Sequence, residues 1–158
     1  MSGLTPLLTE LFYNLNSKLT SNTAIDTKNS GSTGILILSC KSTVVCASVG
    51  DSQMYVYKKD SLKDNNLAYQ ELTVVHSPED SHETSRIINK GGSVRRAANQ
   101  QGDLVGPLRV FKGSSRIPGL MMTRSFGDEI GHSVGMTCRP STTYLTQASY
   151  AQTSTAAI

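Results

Sequence analysis

Apolar residues near the start of the chain recur with the period of a helix. Leucines stand at every fourth position from Leu7 to Leu19, with Leu8 and Phe12 beside them. This spacing places the apolar side chains along one side of an amphipathic helix. Thr5 is expected to cap this helix, and the proline that follows it suits the first helical position.

The next apolar segment has the pattern of a β-hairpin. Two apolar runs, GILILSC and TVVCASV, are separated only by Lys41 and Ser42, which are therefore predicted to form the turn. In that register Leu38 shares a face with Val45, and the residues beside them point the other way. Both faces are apolar or small, so we expect other elements to pack above and below the hairpin.

Further strands and a second helix are predicted downstream. Strands are expected at residues 54–59, 68–75 and 108–111, and the first two would continue the hairpin as a β-meander. A helix is expected to begin with Ser77 as its cap and to end at Lys90 and the glycine that follows.

The C-terminal segment differs in composition from the rest of the chain. After Pro140 it is rich in serine, threonine and alanine, low in charge, and without clear periodicity. The sequence therefore predicts one domain over residues 1–140 and a low-complexity, disordered tail over residues 141–158.

Composition argues against several functional classes. The formal net charge of +3 comes from scattered residues, and tryptophan is absent. We therefore expect no nucleic-acid partner, since neither a basic stripe nor a stacking platform is evident. Three cysteines without paired spacing argue against a disulfide framework or a zinc site. Without a signal peptide or an apolar run of ~20 residues, no membrane association and a cytoplasmic or nuclear location are expected.

Two aspartates follow a glycine at the end of an apolar run. They are Asp51 in VGDSQ and Asp128 in PGLMMTRSFGD. Each is either a turn residue that bonds its own backbone or a carboxylate directed at a metal ion, and the residues alone leave both readings open. Arg124 is expected to brace its loop, and His76 to cap a helix or face solvent.

The order of the motifs carries more information than any one of them. The series comprises SGSTG at 30–34, VGDS at 49–52, Pro78, Glu83 and Arg86, GGSV at 91–94, RVF at 109–111, and PGLMMTRSFGD at 118–128. It resembles the middle of the metal-dependent type 2C family of protein serine/threonine phosphatases, over residues 12–140.

The resemblance implies an α+β fold, namely a partial α-β-β-α sandwich of antiparallel sheets with flanking helices. It also implies hydrolysis of phosphoserine and phosphothreonine in protein partners, with Mn²⁺ or Mg²⁺ held by aspartates. By position, Asp51 matches an aspartate near an additional metal, and Asp128 matches one at the metal periphery.

The sequence also departs from the family pattern. The family's main metal ligands lie in Asp-Gly motifs, and none of the seven aspartates here precedes a glycine. No catalytic residue is therefore assigned, and we expect an incomplete domain that is inactive alone and self-associates through exposed sheet edges. The alternative is a pseudophosphatase, or a phosphoprotein-binding module without turnover.

Overall fold

The computed structural model describes residues 3–57 and 69–146, which form an α+β fold of short antiparallel sheets. The helices are α1 (Leu4–Thr20), α2 (Ser81–Asn89) and α3 (Glu129–His132). The strands are β1 (Gly31–Ser32), β2 (Gly34–Cys40), β3 (Thr43–Val49), β4 (Tyr55–Tyr57), β5 (Tyr69–Glu71), β6 (Gly92–Ala98), β7 (Leu104–Lys112), β8 (Pro118–Leu120), β9 (Phe126–Gly127) and β10 (Ser141–Thr146).

The predicted hairpin is confirmed residue by residue. β2 pairs with β3 in antiparallel register from Gly34 opposite Val49 to Cys40 opposite Thr43, so Lys41 and the serine after it form the turn. Lys41 has a φ of 52°, which matches the positive φ that tight hairpin turns require. Leu38 lies opposite Val45, as the pattern predicted.

Both faces of β3 are packed, as expected. On one face Val45 joins a core cluster with Leu8 and Phe12 of α1. On the other face Cys46 packs in a separate cluster with Leu72. A strand that is apolar on both sides is therefore buried between two layers, which is why its sequence shows no alternation.

Helix α1 is confirmed, but its cap is not the predicted one. The helix begins at Leu4, and Gly3 at the N-cap position makes no side-chain cap bond. The Thr5 hydroxyl instead hydrogen-bonds the hydroxyls of Thr142 and Tyr144, at 3.1 and 2.8 Å. It therefore connects the helix to β10 instead of satisfying the helix terminus.

The predicted cap of α2 is also wrong. The helix begins at Ser81, and Asp80 Oδ1 accepts hydrogen bonds from the backbone N–H groups of the second and third helical residues. Ser77 accepts a bond from the N–H of Glu79 in the preceding turn. The predicted helix end is confirmed, with Lys90 as C-cap and Gly91 at a φ of 84°.

The β-meander expected after the hairpin is wrong. β4 pairs with β5 in a separate sheet, and β3 has β10 as its second neighbour, giving the order β10-β3-β2. The predicted strand over 68–75 ends at Glu71, and residues 58–68 lie outside the described residues. Residues 108–111 lie within β7, which pairs with the unpredicted β6 and with β8.

The tail predicted from residue 141 begins too early. Residues Ser141–Thr146 form β10, which pairs along its whole length with β3. The boundary at residue 140 is therefore wrong by at least six residues, and residues 147–158 lie outside the described part of the chain.

None of the helices in residues 3–57 and 69–146 is long and apolar enough to cross a membrane.

Candidate functional site

Glu83 is the centre of a buried network of charged and polar groups. It stands in the first turn of α2, and its carboxylate accepts two bonds from Arg86, at 2.6 and 2.9 Å. Arg124 donates two more, at 2.7 and 3.0 Å, and the Thr123 hydroxyl donates a fifth at 2.6 Å. We call these four residues the Glu83 network.

The network holds Glu83 in its charged form. Burial alone would raise the pKa of this carboxyl, but the bonds from Arg124, Arg86 and Thr123 outweigh it and hold the pKa well below its usual range. Planar guanidinium groups suit this role, because each presents two parallel donors to a carboxylate.

The Glu83 network fixes residues 118–128, which we call the motif segment. Arg124 also donates to the carbonyl of Arg139 at 2.9 Å, and Arg86 donates to the carbonyls of Gly135 and Thr123. One carboxylate on α2 thus ties the motif segment to the chain that leads into β10. The prediction that Arg124 braces its loop is confirmed.

His76 is buried, so the prediction of a capping or solvent-facing histidine is wrong. Its backbone N–H donates to the carbonyl of Gly50, and its own carbonyl accepts from the N–H of Thr123. Its ring Nδ1 lies 3.1 Å from both the backbone N and the carbonyl O of Gly50, and its Nε2 is 2.8 Å from Ser141 Oγ. His76 therefore joins the VGDS turn, the motif segment and β10.

Burial is also the main influence on the pKa of His76. It lowers the pKa to about 4, with a further contribution from the nearby Arg124 guanidinium. The imidazole is consequently neutral at physiological pH.

Asp128 is buried at the end of the motif segment. It has a φ of 46°, its N–H donates to the carbonyl of Ser30, and it stands at the N-cap position of α3. Its Oδ2 and the Oγ of Ser125 are buried without a hydrogen-bond partner among the described residues. A side chain at Gly31 would overlap the carboxylate, which explains the glycine at that position.

Asp51, in contrast, is exposed at the end of β3. Within residues 3–57 and 69–146, no three His, Cys, Asp or Glu side chains come together in a group that could hold a metal ion. A pair of Mn²⁺ or Mg²⁺ ions needs about six oxygen ligands for each metal, several of them carboxylates. The described residues therefore do not fit such a pair, and metal binding at Asp51 and Asp128 stays a prediction.

Two arginines face each other on β6 and β7. Arg95 lies directly opposite Arg109 in the strand register, and both are half-buried. Arg95 donates to the carbonyl of Ser115 at 2.6 Å and stacks over the ring of Phe111, with 4.0 Å from its Cζ to the ring centroid. Arg109 donates to the carbonyl of Gly119 at 2.7 Å. In the described part of the chain, neither forms a salt bridge with an acidic side chain.

Sequence reasoning missed the two buried polar groups that organise this region. Glu83 stands where acidic residues are favoured by the helix dipole, so its position alone explains its presence. The available signal was a glutamate three residues before an arginine on the same helix, which permits a bidentate pair. His76 gave no comparable signal, because its partners are 26 and 65 residues away.

Comparison with known proteins agrees with this architecture. The chain is 30% identical over 138 residues to probable protein phosphatase 2C 73 of Oryza sativa subsp. japonica, covering 87% of this chain and 31% of the relative. It is 32% identical to probable protein phosphatase 2C 52 of Arabidopsis thaliana, covering 74% of this chain and 24% of the relative. The chain thus spans about a third or less of the length of these relatives.

Solved structures show the same fold. The serine-threonine phosphatase 2C from Toxoplasma gondii superposes with a TM-score of 0.73 at 21% identity, covering 90% of this chain and 46% of that one. A sex-determining protein of C. elegans superposes with a TM-score of 0.64 at 23% identity, covering 88% and 29%. The family model for protein phosphatase 2C matches residues 6–154, and the chain therefore belongs to the protein phosphatase 2C family.

Proposed function

We propose that this chain forms the scaffold of a metal-dependent phosphatase acting on phosphoserine and phosphothreonine in proteins, and that it does not catalyse the reaction alone. The proposal rests on a contrast between the ordered motif segment and the lack of grouped metal ligands among the described residues. The Glu83 network holds the family's motif segment in place, whereas no group of three metal ligands forms among the described residues.

The ligand count is the reason for expecting no turnover. Asp51 and Asp128 offer two carboxylates, fewer than a bridged pair of divalent cations requires. Hydrolysis in this family is expected to depend on those cations, so the remaining ligands must come from other residues. We place this activity in the cytoplasm or nucleus, where the free thiols of Cys40, Cys46 and Cys138 would stay reduced.

Hydrolysis of a phosphothreonine peptide by the purified chain tests this proposal. The rate is measured with and without Mn²⁺, beside the variants Asp51→Ala and Asp128→Asn. We expect no Mn²⁺-dependent hydrolysis above that of the variants. Turnover that requires Mn²⁺ and is lost in either variant would show that the chain assembles a metal site, and would overturn the proposal.

The arginine pair favours a second candidate function, binding of phosphoproteins without turnover. Like charges directly opposite on neighbouring strands are destabilising, and no acidic side chain in the described residues offsets Arg95 and Arg109. Among the described residues, each guanidinium donates to one backbone carbonyl, so its other N–H groups have no acceptor there. A phosphate dianion between them would remove the repulsion and accept charge-assisted bonds.

Binding of a phosphothreonine peptide and of its unphosphorylated form tests the second candidate. Arg95→Gln and Arg109→Gln should each weaken binding of the phosphorylated form about tenfold or more. Arg96→Gln is the matched control, because it removes the same charge from the adjacent residue, which points to the opposite face of β6. Equal losses in all three variants would indicate general electrostatic attraction and argue against a site at the pair.

A further inference from the structure

The sheet β6-β7-β8 and its turns concentrate the positive charge of the chain. Residues 90–120 contain six basic residues and one acidic residue, Asp103. The other nine of the fifteen basic residues share the rest of the chain with eleven of the twelve acidic ones. The six are Lys90, Arg95, Arg96, Arg109, Lys112 and Arg116. They are scattered in the sequence, but antiparallel pairing of β6 with β7 brings them into one region, which we call the basic sheet.

Three arginines of the basic sheet are oriented without being neutralised. Each donates a hydrogen bond of 2.6–2.7 Å to a backbone carbonyl, Arg95 to Ser115, Arg96 to Gly106 and Arg109 to Gly119. A carbonyl orients a guanidinium but does not cancel its charge, and among the described residues none of the three forms a salt bridge. The guanidinium groups are therefore pre-oriented for an acidic ligand, which reduces the entropy lost on binding.

The apolar side of the basic sheet is already covered by the described chain. Val94 lies opposite Val110, and both pack with Ile87 of α2. The other side carries Arg95, and Phe111 on that side is buried beneath the Arg95 guanidinium. A further layer of the same domain packed there would remove unpaired arginines from water, which is unfavourable. An acidic ligand would instead supply the counterions that are missing.

We propose that the basic sheet docks an acidic segment, rich in aspartate and glutamate, of a protein substrate. This inference rests on the proposed function, because it assigns the segment to a phosphoprotein. The exposed residues Arg96, Lys112 and Arg116 extend the positive charge beyond the arginine pair. Their contacts with carboxylates are spread over the sheet, so the segment is selected by its charge and not by one defined sequence.

Nucleic acid is the other polyanion that a basic surface attracts. Phe111 is the only aromatic residue between positions 90 and 120, and its burial beneath Arg95 leaves no exposed ring there for base stacking. The net charge of the whole chain is only +3, so acidic residues elsewhere would repel a long polyanion. A short acidic peptide segment contacts the basic sheet alone and avoids this repulsion.

Binding of a short, unphosphorylated, glutamate-rich peptide to the purified full chain tests the proposal, with fluorescence anisotropy as the readout. The control ligand has glutamine in place of every glutamate. We expect saturable binding of the acidic peptide alone, weakened about tenfold when salt rises from ~0.05 to ~0.3 M. This measurement involves no phosphate, metal or turnover, so its outcome is independent of the hydrolysis assay that tests the proposed function.

Charge reversal tests whether the peptide binds at the basic sheet. Lys112→Glu combined with Arg116→Glu should weaken binding about tenfold or more, and the milder Arg96→Gln about threefold. Lys18→Glu combined with Lys28→Glu is the matched control, because it changes net charge equally at exposed residues outside the sheet. Thermal unfolding verifies that each variant is folded. Equal losses in the two double variants, no saturable binding by the unmodified chain, or tighter binding of duplex DNA than of the peptide would each overturn the proposal.

Discussion

The Glu83 network and the strand β2 differ in how far their side chains are partnered. In the network, the buried Glu83 carboxylate is paired with two partly buried arginines, and one of them, Arg124, is 41 residues away in sequence. In β2, Ile37 and Leu38 remain more than 40% exposed. The comparison shows that the described residues complete the interactions that position the motif segment, whereas the second half of β2 stays exposed.

Removing the charge at the centre of the network should produce the largest effect. Glu83→Gln leaves two partly buried arginines without a counterion, and breaking one side of a buried ion pair typically costs about 3–5 kcal/mol. Chemical denaturation should show a loss of that size in the free energy of unfolding. Glu79→Gln, an exposed glutamate ahead of α2, is the control and should change stability by less than about 0.5 kcal/mol.

Substitutions on the two sides of α1 should differ almost as strongly in their effect on the free energy of unfolding. Phe12 is buried against Phe126, with ring centroids 5.2 Å apart, so Phe12→Ala should cost about 3 kcal/mol or more. Leu7→Ala, on the exposed side of the same helix, should cost less than about 0.5 kcal/mol when the protein is monomeric. Similar losses for the two variants would mean that the exposed leucines are buried in the folded chain.

The buried histidine should make stability depend on pH. The folded-state pKa of His76 is lowered to about 4 from 6.5, so the unfolded state binds the proton more readily. Its stabilising contribution is therefore complete above pH 6.5 and is lost as pH falls to about 4, by about 3 kcal/mol in total.

Denaturation curves between pH 7 and pH 4.5 measure this dependence. His76→Gln should flatten the slope of stability against pH, whereas His82→Gln, an exposed histidine on α2, should leave it unchanged. The half-buried His132 also has a pKa lowered by burial, so it contributes a slope of the same sign in both variants. Equal slopes in both variants would show that His76 titrates normally.

The smallest expected effect is on self-association. Leu7→Glu and Leu15→Glu should leave the free energy of unfolding nearly unchanged but reduce self-association, because they place charge near β2, an edge strand among the described residues. Sedimentation of each variant beside Lys18→Glu, which changes charge on the same helix near its end, separates this local effect from that of net charge. Unchanged association would show that this side of α1 takes no part in it.

The elements whose pairing depends only on neighbouring residues were predicted correctly from the sequence. The hairpin was predicted with its register and faces, because two apolar runs around a two-residue turn leave one pairing that buries them. β10 was missed, since its serine and threonine content suggested disorder. Its threonines and tyrosine also suit a strand, but only the contact with β3 decides between the readings.

The site was predicted less completely than the fold. The order of the motifs indicated the family, and the prediction that Arg124 braces its loop is confirmed. The buried states of Glu83 and His76 were not predicted, since Arg124 lies 41 residues from Glu83 and Gly50 lies 26 residues from His76. Asp128 shows the same limit, because nothing in the motif indicates that its carboxylate lies buried beside Gly31.

Calorimetric titration of Mn²⁺ into the purified chain tests whether the chain holds the scaffold of the site without its metal ligands. We expect no saturable binding at concentrations up to about 1 mM, with the same heats for Asp51→Ala and Asp128→Asn. Saturable binding of one or more Mn²⁺ per chain, lost in either variant, would contradict it.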